Sequence, residues 1–362
     1  MQFARLLAGA ACLALAACAT PAQQPATPAV AVLGPAPLAP ALAEVFDGKA
    51  LRVILCGTSA PLPDPNRAKA CTIVVAGDKA YVIDTGPESW EQLARMQFPG
   101  ARIAGVFITH FHSDHIGDLG EFRMQTMVAG RSVELPVYGP VGIKRVVDGF
   151  NLAYEEDAQL RLAHHGAGVI KIETAALAAH EFGKTFTGDR TGEQVILEQD
   201  GLKVTAFEVD HDPVRPAVGY RFDWKGRSVV ISGDLALSPN LVENAKGADV
   251  LVSESLAVNL VNMMRQVVTG QGNARVGKIF ADIPDYHATP VEAAQMANDA
   301  NVDLLVYSHF IPSNQASNPA YFAGVAAVRP AGKWVAGYDG FRIDLPVGST
   351  DIKQSDLLPK PN

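Results

Sequence analysis

Short apolar runs closed by Gly, Asp or Ser recur along this chain and read as strands. Residues 51–55 form one such run, ending at Gly57. Residues 71–76 and 80–84 form a pair joined by Gly77 and Asp78, a hairpin signal. Residues 103–109 are mostly apolar, as expected of a strand buried on both faces. Further runs stand at 202–209, 217–222, 228–232, 249–253 and 303–308. Helical patterning covers 117–129, 239–246, 256–268 and 290–300, and also 142–164 with a break expected near Gly149. Gly270 and Gly272 favour a flexible loop within 263–277. Strands first, then strands alternating with helices, predict an α/β fold: two mixed sheets packed together and flanked by helices. Residues 48–350 carry no repeat and no linker, so they read as one domain.

The front of the chain reads differently. Arg5 precedes an apolar run at residues 6–17, which is shorter than the roughly 20 residues a membrane-crossing helix needs. The run ends in Leu15, Ala16, Ala17 and Cys18, which resembles a bacterial lipobox. Residues 1–18 are therefore expected to be a lipoprotein-type signal, with Cys18 lipidated after cleavage; plain secretory cleavage is the alternative. A lipidated Cys18 would anchor the protein to a membrane without spanning it. Residues 19–47, rich in Pro and Ala, read as a tether. The expected location is the cell envelope, lipid-anchored and facing the periplasm. Ala19 after the Cys favours the outer membrane. In an oxidising compartment Cys56 and Cys71 can form a disulfide; two small buried thiols are the alternative.

Composition narrows the partners. The chain has 362 residues, 30 Lys+Arg against 38 Asp+Glu, and a formal net charge of −8. That balance speaks against a phosphate backbone as the main partner, so no nucleic acid is expected. Hydrophobic residues at 48% exclude a disordered chain, and four cysteines exclude a disulfide scaffold.

The strongest local chemistry follows the run at 103–109. His110, His112, Asp114 and His115 fall within six residues, more donors than one tetrahedral ion draws from a single short loop. His211, Asp234 and His309 each follow an apolar run, where loops can converge on one site. His164 with His165, and His180, are read as surface residues.

These residues together resemble the metallo-β-lactamase-fold hydrolases, and within them the branch of ribonuclease Z and the zinc-dependent arylsulfatases. The resemblance spans roughly residues 50–345. It is carried by Gly57-Thr58 with Pro61 and Arg67, Asp84-Thr85-Gly86, the His110 to His115 motif, Val209-Asp210-His211, Gly219-Tyr220-Arg221-Phe222, Ser232-Gly233-Asp234 and His309. It implies an αββα sandwich with two divalent ions at one edge. His110, His112 and His211 would bind the first, and Asp114, His115 and His309 the second. Asp234 would bridge them. Zinc is the default for such donors, and Mn²⁺ or Fe would also fit.

His287 stands before Thr289-Pro290-Val291-Glu292, a strong helix start. In the ribonuclease branch a His in this setting pairs with a Glu and protonates the leaving group. Glu254 occupies the place of that Glu, although Ser253 and Ser255 depart from the branch pattern around it. A hydroxide shared by the two metals would be the nucleophile, with Asp114 orienting it. His287 with Glu254 would be the leaving-group acid. Because export argues against tRNA maturation, the expected function is hydrolysis of small anionic esters, arylsulfatase-like or phosphodiesterase. A lactonase or β-lactamase activity is the alternative, as is a tethered metal-binding module without catalysis. Relatives of this kind are often dimers, so a homodimer is also an expectation.

Overall fold

A computed structural model describes residues 40–360. The expected signal at 1–18, with its lipidated Cys18, and residues 19–39 of the expected tether lie outside the described residues. Leu42 and Val45, near the tether's end, are buried with the helix-covered face of the first sheet. No helix among the described residues is long and apolar enough to cross a membrane.

Among the described residues, fifteen strands form two mixed sheets. The first has eight: β1 (Ala50–Gly57), β2 (Cys71–Ala76), β3 (Lys79–Ile83), β4 (Ile103–Phe107), β5 (Leu135–Pro140), β6 (Leu177–Phe182), and, from late in the chain, β14 (Phe341–Pro346) and β15 (Lys353–Asp356). Their order is β15-β14-β1-β2-β3-β4-β5-β6. The second has seven: β7 (Glu193–Gln199), β8 (Leu202–Glu208), β9 (Val218–Trp224), β10 (Arg227–Ile231), β11 (Val250–Leu256), β12 (Leu304–Ile311) and β13 (Trp334–Ala336). Their order is β13-β12-β11-β10-β9-β8-β7. The hairpin expected at Gly77 joins β2 to β3, with Gly77 at φ +70°.

The two sheets pack face to face. Leu51, Val53, Leu55 and Val74 of the first meet Val204, Phe222, Val229 and Val306 of the second in one cluster. Phe107 at its centre meets Tyr220 and Phe222 edge-on, each with ring centroids 5.5 Å apart. Helices seal both outer faces. Leu119, Phe122, Ile143 and Val147 cover the first sheet; Leu241, Ala293, Met296 and Ala297 cover the second. Strands such as β1, covered on both sides, are buried along their whole length, so they read as continuous apolar runs. The αββα expectation holds.

Two expectations change. The helix over 142–164 breaks at Tyr154, between Ile143–Ala153 and Glu155–His165, and not at Gly149. Tyr154 leaves helical geometry at φ −105°, ψ 8°, and its carbonyl accepts from Arg123 Nη1 at 2.9 Å as well as from Ala158 N at 3.3 Å. Gly149 sits on an open face and stays helical. The stretch 263–277 is an antiparallel helix pair, Val258–Gly270 and Ala274–Asp282, with only its turn at the glycines.

Cys56 and Cys71 are joined as a disulfide between β1 and β2, with Cα atoms 4.9 Å apart. It closes a loop of sequence separation 15. We expect reduction, or the double change Cys56→Ser/Cys71→Ser, to lower unfolding free energy by about 3 kcal/mol on the chain-entropy model. A urea midpoint that does not move would show that packing alone holds this loop.

Candidate metal centre

The site forms where strand ends of both sheets meet. β3 and β4 run parallel, so Asp84 and the His110 to His115 segment leave the first sheet at one edge. In the second sheet β8 and β9, and β9 and β10, are antiparallel, and β10, β11 and β12 are parallel. Hence β8, β10, β11 and β12 all point the same way. His211, Asp234, Glu254 and His309 follow or end those four strands.

His309 lies inside β12 rather than after it, and a register slip places it. Ser253 pairs with Tyr307 and Ser255 with Phe310, so Ser308 and His309 together oppose the single residue Glu254. This bulge turns His309 into the left-handed region at φ 41°. It brings His309 Nδ1 to 3.5 Å from Asp234 Oδ1 and 4.0 Å from Glu254 Oε2.

The donors gather in two main sets. Ligand atoms of His110, His112, His211 and Asp234 lie within 4.8 Å of one another, as do those of Asp114, His115 and His309. Asp234 stands between them. Its Oδ2 is 3.3 Å from His115 Nε2, 3.8 Å from His110 Nε2 and 4.0 Å from His211 Nε2. Asp114 Oδ2 is 3.1 Å from His309 Nε2. All these residues are buried except His112, which is half-buried.

Second partners fix the rings. His115 Nδ1 donates to Asp84 Oδ2 at 2.8 Å, His211 Nδ1 to the Tyr286 carbonyl at 2.9 Å, and His110 Nδ1 to Thr109 Oγ1 at 3.1 Å. Each bond selects the tautomer whose Nε2 lone pair faces the other donors. His115 Nε2, His211 Nε2, His309 Nδ1 and Asp234 Oδ1 are buried and make no hydrogen bond. Orphaned lone pairs aimed at one another in a buried pocket are what a divalent cation would satisfy. The donor set thus fits metal.

The buried charges shift one another. Burial opposes ionisation of Asp234, yet His309 and His115 hold it well below the carboxylate range. Asp114 is likewise lowered against its burial, mainly by His115. Burial disfavours charge on His115 too, but Asp234, Asp114 and Asp84 raise it well above the usual imidazole value. Burial keeps His211 neutral, pulling it down to about 4.

His287 and Glu254 also meet. Both Glu254 carboxylate oxygens lie 2.8 Å from His287 Nδ1, and Leu235 N–H donates to Oε1 at 2.6 Å. Burial pulls His287 down to about 4; burial, reinforced by Asp234, pushes Glu254 up. The His287 ring centroid lies 5.0 Å from that of His211. Next to it Thr289 caps the helix Pro290–Asp299 in a full capping box with Glu292, as the sequence pattern requires. His164, His165 and His180 are exposed and take no part in these clusters.

Sequence reading gave Asp84, Thr109 and Tyr286 no role at the site. Asp84, at φ 59°, also accepts from Thr109 N and Thr109 Oγ1 at 2.8 Å each. The available signal was a carboxylate ending an apolar run just before Thr85-Gly86.

A family model for the β-lactamase superfamily domain matches residues 79–310. The chain belongs to this superfamily and has the fold of a metal-dependent metallo-β-lactamase-type hydrolase. Among curated relatives, ribonuclease Z of Mycobacterium bovis is 32% identical over 298 residues, covering 82% of this chain and 98% of its own length. Ribonuclease Z of Mycobacterium avium is 31% identical with the same coverage. Among solved structures, the short form of human tRNase Z has a TM-score of 0.58 at 20% identity, covering 82% of this chain and 100% of its own. The metallo-β-lactamase fold protein YhfI of Bacillus subtilis has the same TM-score at 18% identity, covering 82% and 99%.

These relatives correct one expectation. Nucleic acid was not expected as a partner, yet the curated relatives that span most of the chain are ribonucleases. A net charge is a sum over the whole surface. It does not constrain a centre where a phosphate is held by ions rather than by Lys and Arg.

Asp84→Asn keeps the left-handed backbone accessible and removes the carboxylate behind His115. We expect zinc affinity to fall about 10–100-fold in competition titrations, with folding unchanged by circular dichroism. Unaltered affinity would remove Asp84 from the metal centre.

Proposed function

We propose that this chain is a binuclear metal-dependent phosphodiesterase whose substrates include RNA. The observation that carries the reading is the Glu254-held His287 beside the donor cluster. The ribonuclease Z relatives favour a phosphodiester over a sulfate ester.

Two divalent ions, zinc by donor type, would be held by His110, His112 and His211 on one side and by Asp114, His115 and His309 on the other, with Asp234 between. Bound there, they supply Lewis-acid stabilisation of the phosphoryl oxygens and a water of lowered pKa. Asp114 would orient that water and take its proton. Water adds to phosphorus and the P–O bond to the leaving alcohol breaks. His287, with Nδ1 engaged by Glu254, has Nε2 free to give that oxygen a proton. Glu254 holds the ring through Nδ1 and so fixes which nitrogen faces the leaving oxygen.

Export is part of the same reading. It is supported by the apolar run at 6–17 before Cys18, and by the Cys56–Cys71 disulfide, a bond that persists in oxidising compartments. The substrates would then be RNA or smaller diesters reaching the cell envelope.

A general acid matters in proportion to how poor the leaving group is. His287→Ala should slow cleavage of a ribonucleotide diester, with its alkoxide leaving group, by about 10²–10⁴-fold. It should slow bis(p-nitrophenyl) phosphate far less and leave zinc content intact. Equal losses on both substrates would show that His287 is not the acid. No cleavage of either by the zinc-loaded wild type would sink the phosphodiesterase reading.

A further inference from the structure

A cavity of about 470 Å³ opens beside the metal centre, with His211 in its wall. It lies between the loop 183–192, which links β6 to β7, and the loop 209–217, which links β8 to β9. Its size falls in the range of small-molecule sites.

The loop forming one wall is firmly held. Glu208, buried, accepts from Gly188 N at 3.1 Å and Gly192 N at 3.0 Å. Arg190 Nη1 reaches Asp210 Oδ2 at 2.8 Å across the gap between the loops. Phe186, half-buried, lines the cavity with its ring seated on two glycines. A Cβ on Gly183 would come within 2.8 Å of that ring, and one on Gly192 within 2.6 Å. The ring is thus fixed before any ligand arrives.

Charge decides what the cavity takes. Three cations line it, Lys184, Arg190 and Arg215, against three carboxylates, Glu208, Asp210 and Asp212. Arg190 is bound to Asp210, and Arg215 Nε to Asp212 Oδ1, both at 2.8 Å. A balanced set with its guanidinium groups engaged is a poor site for a second phosphate. The remaining wall, Pro140, Val141, Val209 and Val214 with Phe186, is apolar and suits a flat, uncharged ring.

We propose that this cavity holds the nucleobase next to the scissile phosphodiester, stacked on Phe186, and so sets the preference for nucleotide substrates. The proposal rests on the phosphodiesterase reading for the identity of the phosphate. Its test is binding and does not depend on turnover.

Calorimetric titration of the zinc-loaded full chain would compare adenosine 5′-monophosphate, ribose 5-phosphate and 4-nitrophenyl phosphate. Adenosine monophosphate should bind about tenfold or more tighter than ribose 5-phosphate, the gain of one stacked base. Phe186→Ala should abolish that gap. Val141→Trp, a change at an exposed rim position that fills the cavity, should abolish it too. Neither change should alter affinity for ribose 5-phosphate. A gap that survives both variants, or no gap in the wild type, would overturn the proposal. So would a gain for 4-nitrophenyl phosphate without one for the nucleotide. Loss of turnover with the gap intact would instead remove the phosphodiesterase reading and leave the cavity as a nucleotide site.

Discussion

Four carboxylates and five imidazoles are buried together at one edge of this sandwich, Asp84, Asp114, Asp234 and Glu254 with His110, His115, His211, His287 and His309. Charges removed from water are costly unless opposite charge stands close by, and like charges at these distances repel strongly. Shared protons and bound cations are the two ways to meet that constraint. The orphaned lone pairs on His115, His211, His309 and Asp234 leave cations as the natural solution. Thr109 and the Tyr286 carbonyl then serve to hold each donor in the one orientation that makes the cluster tolerable.

A cluster so dense cannot be built from one loop. It requires two sheets whose strands end at the same place. The parallel pairing of β3 with β4, and of β10, β11 and β12, supplies that geometry. The bulge opposite Glu254 supplies the last piece. Without the extra residue in β12, His309 would alternate with its neighbours across the sheet. The left-handed backbone of His309 and Asp84 is therefore strain kept where the surrounding hydrogen bonds fix it.

The same edge gives His287, the proposed acid, its environment. His287 sits at the mouth of a capped helix, so its backbone is anchored by Thr289 and Glu292 while its ring is anchored by Glu254. The long excursion between Glu254 and His287 is spent on a helix pair, which leaves the two ends free to meet. On the other side of His211, a pinned aromatic ring and a neutralised pair of loops line the cavity proposed for a nucleobase.

Much of this was legible in the chain alone. The motif from His110 to His115, the donors at strand ends and the capping box at Thr289 are local patterns, and local patterns survive without knowledge of the fold. Most inner strands were legible because burial on both faces writes them as apolar runs, but β5, interrupted by Pro136 and Gly139, and β14, interrupted by Arg342 and Asp344, were not. The four edge strands β6, β7, β13 and β15 were not, because few of their positions are buried. Tertiary structure alone decided what depends on register and distant contact. Asp84 reaches His115 across 31 residues, His309 reaches Asp114 across 195, and the cavity at Phe186 exists only where two separate loops face each other. A sequence states which groups are present. Which of them share a few ångströms is set by how the strands pair.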